Sequence, residues 1–384
     1  MKILKIIGTI FFSILLFIAL VIFCVAFFVN GTALNNGFVT DEVDQLPVSS
    51  IARDIAEGQI DDQFPEGSDF LKDVAYRVIE NQEPWVKTQL KNAINTGYDY
   101  FYDRTDYFTI TIPLTELKTD LSNTLWPEAE DYLSEELAGK SDAEISDYLQ
   151  DIIDQIPSDI LPPDLAILPE AESNKYLEQY LRSAAGVPQK SGYPVLDPAT
   201  KADIDQTINQ YISDFISGIP DSYTVDESTM GTDGTQALQN AKQGVGYFQN
   251  WYPWLIVLLF VLAGLIYLVN WGIKIPTRAV GIVLFIVGVI FLVGIIVVRT
   301  LPITQWVTDA AETDISPALQ TWIQNLVSDV TGVLLPLTIG LLVGGVILIV
   351  VSIILPKREK AIPIQESNYP TTSPPPQPPP APTK

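Results

Sequence analysis

The sequence contains no histidine. Its absence removes the imidazole general base, the commonest nitrogen ligand of metals and the side chain that titrates near neutral pH. One cysteine, Cys24, excludes an intramolecular disulfide and any cysteine-rich zinc site. Phosphate-binding glycine loops are missing too, since Gly231-Thr232-Asp233-Gly234 does not lie between a strand and a helix of the required kind. Basic residues are scarce: 22 Lys and Arg against 46 Asp and Glu give a net charge of −24 and a pI near 4.2. Nucleic acid is therefore not an expected partner, because phosphate binding requires concentrated positive charge.

Carboxylates are the remaining chemical resource. Paired carboxylates can act as acid and base in glycoside hydrolysis, but no spacing here singles out a pair. Hard cations such as calcium prefer oxygen ligands, yet no EF-hand loop is present. The acidic clusters Asp61-Asp62 and Asp221 to Glu227 read as solvated loops. The sequence thus points to no cofactor, no metal site and no enzymatic activity.

What the chain has in excess is apolar sequence. Of its 384 residues 47% are hydrophobic, and the mean hydropathy is +0.23. Four runs without a single Asp, Glu, Lys or Arg carry this excess: 6–29, 254–270, 279–298 and 333–355. Each is about as long as a helix needs to cross a hydrocarbon core of roughly 30 Å. The expected fold is mainly α: a four-helix transmembrane region with a large, mostly helical extracytoplasmic domain, with minor β structure, inserted between spans one and two.

Positive residues in short loops set the expected orientation. Lys2 and Lys5 fall in segment 1–5, Lys274 and Arg278 in the loop 271–278, and Lys357, Arg358 and Lys360 in the tail 356–384. Those three segments are expected in the cytoplasm, with 30–250 and 299–332 outside, in a multi-pass protein of the cell membrane. Trp251, Trp254, Trp271, Trp306 and Trp322 fall at or near span edges, where interfacial aromatics belong. The first run, at 24 residues, exceeds the h-region of a cleaved signal peptide, about 7–15 residues, so it is expected to remain as a signal anchor. A small-x-small site at Gly31-Thr32-Ala33 keeps cleavage open as the other reading.

Segment 30–250 holds 40 Asp and Glu against 13 Lys and Arg, a net of −27 in 221 residues. Its pattern is mostly helical. Phe70, Leu71, Val74, Val78 and Ile79 recur at helical spacing, and the period resumes after Pro84 through Phe101, as one kinked helix or as two. Residues 107–112 alternate as a single strand. A helix follows with Leu114, Leu117, Leu121 and Leu125, and Ser141 with Glu144 forms a capping box for the next. Residues 157–169 read as a proline-rich connector, about 170–185 and 198–216 as helices, 221–236 as a loop, and 237–250 as a helical lead into span two. The stretch 148–157 parallels 211–220, either as two similar amphipathic helices or as a duplicated helical unit.

The spans contain no Asp, Glu, Lys, Arg or His, which speaks against an ion-coupled transporter. Gly340-x-x-x-Gly344, with Gly345, permits close helix approach within the chain or between copies, as do Gly281, Gly288 and Gly294. Ser316-Pro317 opens an amphipathic helix within 299–332, expected on the outer membrane surface or docked under the large domain. The tail ends in a run rich in Pro from Ser373 to Pro380, an extended segment that is disordered alone and suited to an aromatic groove. The expected partners are the lipid bilayer, a protein engaged through the ectodomain or tail, and a second copy of the chain. Three functions fit: an ectodomain presented for interaction or envelope assembly, a channel-like or transport-accessory oligomer, and a receptor sensing a ligand or cation.

Overall fold

The computed structural model describes residues 2–53, 69–156, 161–270, 273–311 and 316–355. The protein is mostly helical, and four helices are long and apolar enough to cross a membrane. They are α1 (Lys2–Gly31), α10 (Gly231–Asn270), α11 (Lys274–Thr300) and α13 (Pro317–Ile354), with the short α12 (Ile303–Ala311) between the last two. The sequence positions Trp271, Lys357, Arg358 and Lys360, the pair Asp61-Asp62 and the Pro-rich tail lie outside the described residues.

The four helices form two antiparallel pairs. Along α1 and α10, the side chain of Val269 lies 3.2 Å from where a Cβ on Gly8 would sit. Asn270 donates to Thr9 Oγ1 at 2.8 Å, and Phe23 stacks on Tyr252 toward the other end. Along α11 and α13, small residues bring the backbones together. Thr331, Thr338, Gly345 and Ser352 follow one another at seven-residue spacing and are all buried. That period keeps one face of α13 turned toward a neighbour. Leu16, Leu20, Ile266, Val283 and Val287 fill the space between the pairs.

Two of these helices are longer than a membrane crossing needs. The polar leads of α10, 231–253, and α13, 317–332, add about 35 Å and about 24 Å at 1.5 Å per residue. The amphipathic segment after Ser316-Pro317 is therefore the first part of α13, unbroken into the apolar run. No helix stop separates the two parts, so the segment cannot lie flat on a membrane that the rest of the helix crosses. It docks on the folded segment instead.

That segment lies between α1 and the apolar part of α10. Its helices are α2 (Asn36–Gln45), α3 (Asp69–Asn81), α4 (Glu83–Phe101), α5 (Thr115–Leu137), α6 (Asp142–Ile153), α7 (Pro163–Ala166), α8 (Glu170–Ala184) and α9 (Pro198–Ser217). Pro84 stands in the first turn of α4, where a missing N–H costs no ladder bond, so the pattern around it is two helices. Ser141 and Glu144 satisfy each other's backbone N–H groups at the start of α6, as the capping box requires. Asp197 accepts from Ala199 and Thr200 N–H to start α9. Gly186, at φ 67°, supplies the left-handed turn that ends α8.

The distal core joins α3 and α5–α9 around Leu133, Leu149, Tyr180, Leu181 and Ile204. The two similar stretches do not share an environment there. Leu149, Ile152 and Ile153 are buried, whereas Tyr211 and Phe215 are exposed and only Ile216 is buried. Similar helices with different burial favour two amphipathic helices over a duplicated unit.

Part of the expected loop 221–236 is a strand. β1 (Thr109–Pro113) pairs antiparallel with β2 (Ser222–Asp226), with Ile110 opposite Val225 and Ile112 opposite Tyr223. Only Tyr223 and Val225 alternate as apolar residues in β2, amid Asp, Ser and Thr, and its partner lies about a hundred residues away. From Gly231 the remainder of the expected loop is already helix α10.

Candidate functional site

Two polar constellations stand out, one in the distal core and one where the folded segment meets the membrane helices. In the distal core, Arg182 is 1% exposed and Glu178 3%. Arg182 donates to Glu178 Oε1 at 3.1 Å, Asp142 Oδ1 at 2.7 Å and Ser146 Oγ at 2.8 Å. Ser146 Oγ also accepts from Lys190 Nζ at 2.6 Å and donates to Glu178 Oε1 at 2.7 Å.

A serine beside a lysine amine is a known nucleophile–base arrangement, and it works only when the lysine can be neutral. Burial would lower the Lys190 pKa, but bonding to Tyr193 and the charge of Glu178 outweigh it and hold the ammonium above its ordinary value. Glu178 is paired with both Arg182 and Lys190, so its carboxylate is engaged within the network. Two surface cavities lie elsewhere. One, of about 520 Å³, is lined by Asp44, Glu80, Glu83, Lys87 and Lys91. The other, of about 580 Å³, is lined by Glu227, Thr232 and Gln239 among others. This network therefore ties α6, α8 and the loop after α8 together.

The second constellation is a collar around α4. Tyr98 and Tyr102 donate to the carbonyls of Ala33 and Leu34, just past the end of α1. Asn36 Nδ2 donates to Asn95 Oδ1 at 2.6 Å. Lys87 donates to Asp44 O at 2.8 Å, and Lys91 pairs with the Asp44 carboxylate. On the lead of α10, Lys242 pairs with Asp103 at 2.9 Å and lies over the Tyr100 ring. On the lead of α13, Trp322 Nε1 donates to Glu42 O at 3.2 Å. The exit of α1 and the lead of α10 are thus fastened to α4, and the lead of α13 to α2.

Burial pushes the Tyr98 hydroxyl up to about 12. A raised tyrosine pKa keeps the collar's donor protonated through neutral pH. Its contribution is complete below the ordinary tyrosine value near 10 and is lost as pH rises through about 12. Titration of tyrosinate absorbance should show a late component that Tyr98→Phe removes; an unchanged alkaline curve in that variant would contradict the assignment.

The residues expected from the sequence to set topology lie as follows. Lys5 is exposed near the start of α1, and α1 begins at the same end as the C-terminus of α10. Lys274 donates to Leu355 O at 3.1 Å, closing the free carbonyls at the end of α13. Arg278 is exposed one turn further along α11. These cations share one end of the bundle. At the other end Arg299 donates to Thr331 Oγ1 at 2.8 Å and to Ser328 O at 3.0 Å.

Trp251, Trp254 and Trp306 are exposed at 66%, 62% and 55%, whereas the indole N–H of Trp322 is used inside the protein. Among the six glycines, three make the close approach. A Cβ on Gly345 would sit 2.7 Å from Phe285 N, and one on Gly281 would sit 2.9 Å from Gly345 O. Gly288 approaches the Leu342 backbone similarly, while Gly294, Gly340 and Gly344 meet nothing within 4 Å. The seven-residue spacing of small residues on α13 was the signal for this face, more than the Gly-x-x-x-Gly pattern.

The acidic segment 221–227, which contains β2, is occupied internally. Asp221 pairs with Lys118 at 2.7 Å, and Asp226 accepts from Ser228 and Thr229 N–H. Among the described residues no group of three or more Cys, Asp and Glu converges as a metal site would. The chain matches no protein-family model, no curated protein and no solved structure.

Proposed function

We propose that the chain is a multi-pass protein of the cell membrane that presents an acidic helical ectodomain for interaction or envelope assembly, without enzymatic activity of its own. Both termini are cytoplasmic in this reading, and residues 30–250 face outward. The observation that carries it is the collar. Span one and the leads of spans two and four are bonded to α4 or to α2 beside it, so the ectodomain is held in a defined orientation above the membrane. A presented surface needs such an attachment; a tethered, freely tumbling enzyme does not.

Two further observations support the reading. The buried face of α1 (Leu16, Leu20 and Cys24) packs into the helical bundle, which suits a retained anchor. The clustering of Lys5, Lys274 and Arg278 at one end of the bundle suits the orientation.

Orientation is tested with single cysteines in a Cys24→Ala background, at exposed Ser213 and at Lys5. A membrane-impermeant maleimide should label Ser213→Cys in intact cells and Lys5→Cys only after permeabilisation. The reverse pattern would overturn the topology. Crosslinking in native membranes tests the function: a partner retained when residues 356–384 are deleted, and lost when the ectodomain surface is altered, is the expected outcome. A partner that follows the tail alone would count against it.

A further inference from the structure

Glu42 lies in α2 at the junction with the lead of α13, and it is 7% exposed. Its Oε2 is buried without a hydrogen-bond partner, while its own backbone carbonyl accepts the Trp322 indole N–H across the junction. The nearby groups of the same sign are Asp41 on α2 and Asp329 on α13. Among the described residues, the cations bonded to α2 and the one beside Ser328 are engaged elsewhere. Lys87, on α4, is bonded to Asp44 O and to Glu83 Oε1, and Lys91 is paired with Asp44. Arg299, on α11, is held by Thr331 and Ser328.

An ionised carboxylate buried without a counterion loses far more hydration than its surroundings return, so such a group takes up a proton instead. We propose that Glu42 is a proton-binding site that controls the junction between the ectodomain and span four. With Glu42 neutral, α2 and α13 pack together through the Trp322 bond. With Glu42 ionised, its desolvation and its repulsion from Asp329 drive the two elements apart. The ligand is the proton, and the readout is the fastening of the outer domain to the membrane helix.

The direction of the pH dependence follows from the environment. Burial first, then the charges of Asp329 and Asp41, hold the Glu42 carboxyl above its ordinary value of 4.5. A group raised in the folded state stabilises fully below its unfolded value and loses that contribution as pH rises through its folded value. The junction is therefore tight in acid and loosens toward neutral and alkaline pH.

Hydrogen exchange of the full chain in lipid nanodiscs, corrected for intrinsic rates, tests this from about pH 5 to about pH 8. In the wild type, protection of 36–45 and 317–332 should fall by about tenfold or more across that range. Protection of 142–153 should stay constant as an internal reference for folding. Glu42→Gln should hold both junction segments at their acid level of protection at every pH. Asp329→Asn should move the wild-type midpoint to lower pH, because ionised Glu42 then meets the repulsion of Asp41 alone and the loosened state extends toward acid. A Glu42→Gln variant that keeps the wild-type pH dependence would overturn the proposal. So would restoration of wild-type protection at about pH 8 by calcium chloride, which would make the site a cation site.

Discussion

Gly345→Leu is expected to break the α11–α13 pair, while Gly344→Leu, one residue away, leaves it folded. The Cβ of any residue at 345 would meet Phe285 N at 2.7 Å, Gly281 O at 2.8 Å and Phe285 Cα at 3.0 Å. All three are backbone atoms, so no rotamer change relieves the clash. Overpacking in a well-packed core typically costs about 1–3 kcal/mol, and backbone obstacles place this variant at or beyond the upper end.

The same geometry ranks its neighbours. Gly288→Leu meets Leu342 Cγ at 2.8 Å, a side-chain atom able to move, and Leu342 N at 3.0 Å, which is not. It should be damaging but less so. Gly340 and Gly344 have open space, and replacing a helical glycine by leucine recovers up to about 1 kcal/mol of helix propensity. Thermal unfolding in nanodiscs, with the oligomeric state measured alongside, checks the series. Wild-type stability in Gly345→Leu would refute the packing; dissociation of an oligomer by Gly344→Leu would place that glycine between copies.

Why the glycine pattern was only half legible has a physical answer. Gly-x-x-x-Gly marks a helix face that can be approached closely, but not which neighbour arrives there. On α13 the approached face is the one carrying Thr331, Thr338, Gly345 and Ser352, and Gly340 and Gly344 point elsewhere. The helices themselves were legible because uncharged runs of membrane length have few alternative structures. The capping box was equally plain, since it acts within one turn of its own position, whereas Pro84 left one kinked helix or two open, which only its place in the first turn of α4 decides.

The collar was not legible. Its contacts join Tyr98 to Ala33, Lys242 to Asp103 and Trp322 to Glu42, pairs separated by 65 to 280 residues. Trp322 reads from sequence as an interfacial aromatic because it lies close to an apolar run. Only the continuity of α13 carries it away from the bilayer edge and onto α2. The strand β2 fails for a related reason: its identity depends on β1, which no local pattern can supply.

Arg182→Met is expected to cost about 3–5 kcal/mol, because it leaves the buried carboxylate of Glu178 without its principal partner. The two side chains are 1% and 4% exposed, so solvent screens the charge little. Lys190 remains at 3.5 Å from Glu178 Oε1 and recovers part of the loss. The bond to Asp142 matters less, since that carboxylate is 67% exposed. Arg182→Lys keeps the charge but not the planar fork that reaches Asp142, Ser146 and Pro188 O together, so it should fall between wild type and Arg182→Met.

The double variant Arg182→Met with Glu178→Leu separates the pair from the packing around it. Replacing both partners by apolar groups of similar volume is often neutral or stabilising, so the double variant should recover most of the stability lost in the single one. Ser146 and Lys190 then lose a common acceptor but keep each other, at 2.6 Å. Denaturant titration of the full chain, with hydrogen exchange of 142–153 and 170–184 as the local readout, gives all three values. A single variant within about 0.5 kcal/mol of wild type would show that the ion pair does not hold the distal core, since that is the range of ordinary surface substitutions.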